Sequence, residues 1–198
     1  MFVVDDDQAM RNSLKWLIES VGMQVESFSS ADEFLAQYQS GRAGCLVLDV
    51  RMPGMSGLDL QEHLAERNIR TPVVIITGHG DVPMAVRAMK GGAIDFIEKP
   101  FNDEVLLDAI RRAITYEEQQ RTHHSEHLQI QERLSNLTPR EHEVMAMVTE
   151  GRSNKEIANA LGVSAKTIEA HRARVMEKMQ AGSLAELVRM VLAVNGTD

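Results

Sequence analysis

The sequence lacks the features on which disulfide-rich, secreted and membrane proteins depend. Of its 198 residues one is cysteine, Cys45, so no intrachain disulfide can form, and its apolar neighbours indicate a small core residue. No apolar run approaches the roughly 20 residues that a membrane-spanning helix needs. The acidic residues that directly follow residues 1–4 are not typical of a signal peptide. The expected compartment is therefore the cytoplasm, with no membrane partner.

A basic excess is also missing. The chain has 29 acidic and 21 basic residues and a net charge of -8. Any binding of nucleic acid must come from local clustering, because long-range attraction to phosphates is absent. Residues 138–198 hold equal numbers of both signs, so such clustering is to be sought there. The length suits one large domain or two small ones.

Short apolar runs alternate with helical patterns over about the first 115 residues. The predicted strands cover residues 2–5, 24–28, 45–49, 73–77 and 94–97. The predicted helices cover residues 8–21, a segment that opens with a capping-box pattern at Ser30 and Glu33, 57–66, 82–91 and a segment that starts after Asn102. Three strands are continuously apolar, which is typical of strands buried on both faces. The pattern predicts an α/β fold with a five-stranded, doubly wound parallel sheet.

Polar groups occur where the predicted strands end. The third strand stops at Asp49, within the stretch LVLDVRMPGMSG. Other strand ends supply Asp5, Asp6, Thr77 and Lys99. Parallel strands bring their carboxyl ends to one crevice, where clustered carboxylates repel unless a cation joins them. Oxygen ligands suit Mg²⁺, and with Lys99 nearby Asp49 could attack a phosphoryl group.

Residues 1–116 resemble the receiver domain of two-component response regulators. The motifs that carry the resemblance are LVLDVRMPGMSG, VVIITGHGD and DFIEKPF. The run GHGDVPMAVRAMKGGAIDFIEKPF is especially similar to the FixJ subfamily. The resemblance implies that Asp49 accepts a phosphoryl group from a sensor histidine kinase.

The resemblance also implies roles for the residues around Asp49. The implied Mg²⁺ ligands are Asp6, Asp49 and the backbone carbonyl of Arg51, with Asp5 acting through water. The implied phosphoryl contacts are Thr77 and Lys99, with Gly78 leaving room for the phosphoryl oxygens. Phe96 falls at the position of the switch aromatic, and Lys99–Pro100 is expected to be a cis peptide bond.

A segment without proline or glycine connects the two halves of the chain. Its apolar stripe runs to Ile114, fails over residues 117–127 and resumes at Leu128. This pattern predicts one long helix, or two nearly collinear ones, with residues 117–134 as a helical linker between domains. His123 and His127 have the spacing of a metal-binding pair, but no third ligand shares their face, so a solvated helix is expected.

Helix-start signals recur in the last third of the chain. Capping-box patterns begin at Thr138, Ser153 and Ser183, and Ser164 is a further N-cap candidate. They predict four helices, at about 139–150, 154–161, 165–179 and 184–194. The second and third are joined by the short turn LGVS, which is typical of a helix-turn-helix.

Residues 135–198 resemble the LuxR/NarL-type DNA-binding domain, through LTPREHEVMAMVTEGRSNKEIANALGVSAKTIEAHRARVMEKM. The third helix has an inward stripe of Ile168, Val175 and Met179, and His171 is expected to pack rather than to bind phosphate. The remaining surface can enter a major groove, where arginine reads guanine and lysine or threonine takes phosphates. The candidate DNA contacts are Asn154, Lys155, Ser164, Lys166, Thr167, Glu169, Ala170, Arg172, Ala173, Arg174 and Lys178.

We interpret the chain as a phosphorylation-controlled transcription factor that dimerises and binds promoter DNA, with RNA polymerase as a candidate partner. The candidate dimer face comprises helix 82–91 and strand 94–97, whose apolar residues are expected to serve partly the core and partly a dimer patch: Met84, Val86, Ala88, Met89 and Ile94. It is not expected to be an enzyme beyond its own phosphorylation and dephosphorylation. One alternative is a Mg²⁺-dependent aspartyl-phosphate phosphatase, which typically has a second aspartate where Arg51 stands. Another is a regulator that binds DNA constitutively and does not use its receiver.

Overall fold

The computed structural model describes residues 1–39 and 41–195, with Asn195 described in its backbone only. The chain divides into two compact units, Met1–Gln120 and the residues from Arg121 onward. The first contains β1 (Phe2–Val4), α1 (Gln8–Ser20), β2 (Glu26–Phe28), α2 (Ala31–Gln37), β3 (Leu46–Asp49), α3 (Gly57–Glu66), β4 (Val73–Thr77), α4 (Val82–Lys90), β5 (Asp95–Glu98) and the start of α5 (Asp103–Ser135).

Within the described residues the strands form one parallel five-stranded sheet in the order β2-β1-β3-β4-β5. The register pairs Val4 with Leu48 across β1 and β3, and Asp49 with Ile76 across β3 and β4. The ends of β1, β3, β4 and β5 therefore meet at one edge, as the sequence pattern predicts.

Alternate residues of the central strands pack into two apolar cores, one on each face of the sheet. In β3, Leu46 and Leu48 pack with α2 and α3 residues such as Phe34 and Leu60. On the opposite face, Val47 packs among α1 and α5 residues, which include Leu14, Ile18, Leu106 and Ile110. Helices thus cover both faces of the sheet, which confirms the predicted doubly wound α/β fold.

Helix α4 is the least buried of the helices that pack on the sheet. Of its nine residues, all described by the structure, Ala88 alone is buried. The side chains of Val82, Val86 and Met89 are 76%, 46% and 51% exposed. Part of the apolar surface of α4 is therefore presented to solvent, while Ala88 and, in part, Met84 pack against the core.

The turn from β3 into α3 requires glycine at residue 57. A Cβ atom placed on Gly57 would lie 2.1 Å from the carbonyl oxygen of Asp49, closer than any real contact. The Gly57 amide also donates a hydrogen bond of 3.0 Å to the carbonyl oxygen of Val50. The backbone that carries Asp49 is thereby fixed by a residue without a side chain.

The second unit is helical and includes the last turns of α5. The other helices are α6 (Pro139–Thr149), α7 (Asn154–Leu161), α8 (Ala165–Met179) and α9 (Leu184–Asn195). Ile130 and Leu134 of α5 pack against the core formed by α6 to α9. Helix α5 runs from Asp103 to Ser135, so of the two predicted possibilities the single long helix is confirmed. Within the described residues, no helix is long and apolar enough to span a membrane.

The capping-box predictions were right in part. Thr138 and Ser153 form reciprocal boxes with the glutamates three residues later. At Ser30 the hydroxyl accepts from Glu33, but the Glu33 carboxylate accepts from the Ser29 amide instead. The Ser30 backbone is more extended, with a φ of -157° against -72° at Thr138 and Ser153. At Ser183 the hydroxyl likewise accepts from the Glu186 amide, but the Glu186 carboxylate accepts from the Gly182 amide rather than from the Ser183 amide.

We predict that Gly57→Ala lowers the free energy of unfolding of the receiver by about 1–3 kcal/mol, because the new methyl group must displace the backbone beside Asp49. Scanning calorimetry of the receiver transition measures this. Gly78→Ala is the matched control, since a Cβ there meets nothing within 4 Å. Equal stability of the Gly57→Ala and Gly78→Ala variants would contradict the close approach.

Candidate functional site

The carboxyl edge of the sheet carries an ammonium group between two carboxylates. Lys99 follows β5, and its Nζ lies 2.7 Å from Asp5 Oδ2 and 2.7 Å from Asp49 Oδ1. The Lys99 amide donates a 2.7 Å hydrogen bond to the Thr77 carbonyl, which aligns the segment after β5 with the end of β4. The Lys99–Pro100 peptide bond is cis, as predicted. Asp5, Asp49 and Lys99 thus come from three different strand ends to one point.

Burial sets the electrostatics of this cluster. Asp5 is 1% and Asp49 5% exposed. Burial raises the pKa of Asp49, and the hydrogen bond from Lys99 offsets that rise only in part. Burial also lowers the pKa of Lys99, but its hydrogen bonds to Asp49 and Asp5 outweigh this, so its pKa is raised and it stays charged. The other Asp49 oxygen, Oδ2, accepts from the Arg51 amide at 2.7 Å.

A buried arginine holds the loop after β1. The Arg11 guanidinium donates to the carbonyl oxygens of Asp5 at 2.7 Å and of Asp6 at 2.9 Å. Arg11 lies on α1 in the same stripe as Leu14 and Ile18, and only 8% of it is exposed. Arg11 was not among the predicted site residues, although an arginine in line with an apolar helical stripe is a readable signal.

The predicted Mg²⁺ ligands are only partly assembled. The carboxylates of Asp5 and Asp49 face Lys99, whereas Asp6 is exposed. In residues 1–39 and 41–195, no three His, Cys, Asp or Glu side chains are grouped to hold a metal ion. Lys99 contacts one oxygen of each buried carboxylate, and the other oxygens accept from the Asp7 and Arg51 amides. The donor chemistry still fits a hard cation: two buried carboxylates already share one positive group.

Thr77 and Phe96 lie against the same glycine. Thr77 is fully buried at the end of β4, and its Oγ1 accepts from the His79 amide at 3.3 Å. A Cβ on Gly80 would lie 3.0 Å from Phe96 Cε1 and 3.5 Å from Thr77 Cγ2. The loop from β4 to α4 therefore packs on both residues at once. The need for glycine at residue 80 could not be predicted from the sequence, because it arises from a tertiary contact.

In the second unit, α8 separates an apolar and a polar face. Ile168, Val175 and Met179 are buried, as the predicted inward stripe requires. His171 is half-buried, and its buried Nδ1 has no hydrogen-bond partner among the described residues. The predicted DNA contacts that are exposed are Lys155, Ser164, Lys166, Thr167, Glu169, Ala170, Ala173 and Arg174.

The other three predicted DNA contacts have partners inside the domain. Arg172 Nη1 donates a 2.7 Å hydrogen bond to Asn154 Oδ1. Lys178 Nζ lies 2.7 Å from Oε2 of Glu141 and donates to the Asn136 carbonyl at 3.1 Å. Glu141 is 3% exposed, and its pKa is lowered to about 2, mainly by Lys178 and next by the Thr138 amide. Lys178 thus neutralises a buried carboxylate.

Residues 1–111 match the response regulator receiver domain, and residues 135–191 match the bacterial regulatory proteins of the luxR family. The chain therefore belongs to the response regulators, as a receiver joined to a LuxR-type DNA-binding domain.

The similarity extends over nearly the whole chain. Nodulation protein W of Bradyrhizobium diazoefficiens is 48% identical over 190 residues, covering 96% of this chain and 84% of that protein. FixJ of Rhizobium meliloti is 47% identical over 191 residues, covering 96% of this chain and 94% of that protein. The solved structure of the response regulator StyR is 45% identical, with a TM-score of 0.87 and 96% of each chain covered.

Full-length FixJ from B. japonicum is 45% identical, with a TM-score of 0.60, covering 100% of this chain and 97% of that one. The protein is accordingly a phosphorylation-dependent transcription regulator with a helix-turn-helix. Its family is one of regulators and not of enzymes, which argues against the phosphatase alternative.

We predict that Glu141→Gln destabilises the DNA-binding domain by about 1–2 kcal/mol at pH 7, because the charge-assisted bond to Lys178 is lost. The folded pKa of Glu141 lies below its ordinary value, so the stabilisation is complete above about pH 4.5 and is lost as the pH falls towards about 2. Urea unfolding across this range tests it, with the exposed Glu143→Gln as control. A difference that does not shrink on acidification would contradict the assignment.

Proposed function

We propose that Asp49 accepts the phosphoryl group of a phosphohistidine on a sensor histidine kinase. An Asp49 carboxylate oxygen attacks phosphorus while the bond from phosphorus to the imidazole nitrogen breaks, and the electron pair leaves with the imidazole. The observation that carries this proposal is the 2.7 Å contact between Lys99 Nζ and the buried Asp49 carboxylate. An ammonium group fixed at that point also stabilises the charge on incoming phosphoryl oxygens.

The Mg²⁺ ligands that we propose are Asp5, Asp6, Asp49 and the backbone carbonyl of Arg51. When bound, the ion supplies positive charge that offsets the repulsion between carboxylates and phosphoryl oxygens. Arg11 contributes by fixing the carbonyls of Asp5 and Asp6, so the acidic loop needs little reorganisation. Lys99 keeps its charge throughout, because the same carboxylates raise its pKa.

The switch that we propose consists of Thr77 and Phe96. A phosphoryl group on Asp49 draws the Thr77 hydroxyl, which donates to a phosphoryl oxygen. Because Gly80 packs on both Thr77 and Phe96, movement of that loop alters the packing of the Phe96 ring. Phe96 has no hydroxyl, so it exchanges apolar contacts only. Turning a 1:99 population into 99:1 requires phosphorylation to favour the active form by about 5.5 kcal/mol.

The output that we propose is a homodimer on promoter DNA. The exposed apolar side chains of α4 form the candidate dimer face with β5. A two-fold dimer pairs two recognition helices on half-sites. Residues 1–116, 117–134 and 135–198 then serve as receiver, helical linker and DNA-binding domain, working in the cytoplasm, with RNA polymerase as a further candidate partner. The exposed residues of α8 meet the bases and phosphates, with Lys166 and Arg174 supplying local positive charge.

We expect Asp49→Asn to abolish the stable acyl-phosphate and phosphorylation-dependent dimer formation, because the amide cannot act as the nucleophile. Incubation with a small phosphodonor and Mg²⁺, followed by intact mass spectrometry and light scattering, measures both. Asp32→Asn, which alters an exposed carboxylate, should behave as wild type. Retention of both properties by Asp49→Asn would leave a constitutive DNA-binding regulator as the better account.

We expect Val86→Glu to block dimer formation without reducing the phosphorylated fraction, because it places a charge on the apolar face of α4. Light scattering of the phosphorylated protein reports the dimer, and mass spectrometry the modification. Val21→Glu is the control, since Val21 is 39% exposed and lies at the end of α1. A full-strength phosphorylated dimer of Val86→Glu would exclude this face.

A further inference from the structure

The contact between Arg172 and Asn154 joins the two helices of the helix-turn-helix. Arg172 lies in the middle of α8, and Asn154 is the first residue of α7. Arg172 Nη1 donates to Asn154 Oδ1 at 2.7 Å, and both side chains are half-buried. Glu169, Ala170, Ala173 and Arg174 are exposed, whereas His171 and Arg172 are half-buried. Arg172 therefore points towards α7 and away from the outer face of α8.

The surroundings of Arg172 agree with an internal role. It lines a small cavity of about 10 Å³ together with Val144, Val148 and Val175 of the domain core. Its stem thus packs on apolar groups, while its guanidinium reaches the start of α7. The bond to Asn154 and the packing of the stem hold Arg172 close to α7 and the domain core.

The chemistry of the two groups fixes the orientation of the amide. A guanidinium has only donors, so the Asn154 atom that faces it must be the carbonyl oxygen. The NH₂ group of the amide then points away from Arg172. Asn154 stands next to the exposed Lys155 at the N-terminus of α7, and the first helix of a helix-turn-helix crosses the DNA backbone. The NH₂ group is therefore placed to donate to a phosphate.

We propose that Arg172 is a positioning residue for DNA binding: it holds the Asn154 amide so that its NH₂ group donates to a DNA phosphate. The inference rests on the proposed DNA-binding function and changes the role expected of Arg172 from base reader to orienter. Because the contact is to the backbone of the duplex, its loss must weaken binding to every sequence by a similar factor.

The test is a double-mutant cycle of Arg172→Met and Asn154→Ala. Affinities of the phosphorylated full chain are measured by fluorescence anisotropy on two duplexes, one selected by the wild-type protein from a random pool and one shuffled. Each single variant should lose about three- to tenfold on both duplexes, and the double variant should be no weaker than the weaker single one. Arg172→Lys, which keeps a donor, should recover part of the loss.

Two controls separate positioning from folding. Arg174→Met combined with Asn154→Ala should lose affinity multiplicatively, because Arg174 is exposed and acts independently. Asn154→Asp keeps the acceptor for Arg172 but lacks the donor, so its thermal stability should be retained while DNA affinity falls more than for Asn159→Asp on the same helix. Asn154→Asp also tests the proposal should Arg172→Met fail to fold.

The inference is overturned if the Arg172 and Asn154 effects multiply, or if Arg172→Met loses affinity only on the selected duplex, as a base reader would. It is also overturned if Asn154→Asp binds DNA as Asn159→Asp does. A wild-type protein that binds neither duplex would overturn the DNA-binding function as well, whereas normal wild-type binding with multiplicative losses would leave that function intact.

Discussion

The receiver unit depends on one electrostatic arrangement, the ammonium group of Lys99 between the carboxylates of Asp5 and Asp49. Two buried carboxylates at the end of adjacent strands would repel each other and destabilise the sheet edge. Lys99 reduces that cost, and its hydrogen bond offsets only part of the rise that burial causes in the pKa of Asp49. The sheet edge thus holds two buried carboxylates on one ammonium group, and burial still keeps the pKa of Asp49 above its ordinary value.

In the DNA-binding unit, too, cationic side chains bond to acceptors inside the domain. Lys178 neutralises the buried Glu141, and Arg172 bonds Asn154, so two cationic side chains of α8 are used inside the domain. The recognition helix is thereby tied to both α6 and α7. Lys166 and Arg174, by contrast, are exposed cationic side chains of α8 in a chain of net charge -8.

Sequence reasoning recovered the features that repeat along the chain. Periodicity located every strand and helix to within a few residues, and the strand-end rule brought Asp5, Asp49 and Lys99 to one edge. It missed contacts that join distant positions without a repeat, such as Lys178 with Glu141. It also missed Gly57 and Gly80 as close approaches, because the atoms they would meet belong to other elements. The roles of the site residues remain predictions.

The central claim is that phosphorylation of the receiver controls binding at the DNA-binding unit. Beryllofluoride with Mg²⁺ imitates a phosphoryl group on a carboxylate without turnover, so it isolates the switch from the lifetime of the acyl-phosphate. Footprinting of the full chain on a duplex selected by the protein should show protection at a concentration at least tenfold lower, about 1.4 kcal/mol, when the analogue is present. Identical protection with and without the analogue would contradict the account.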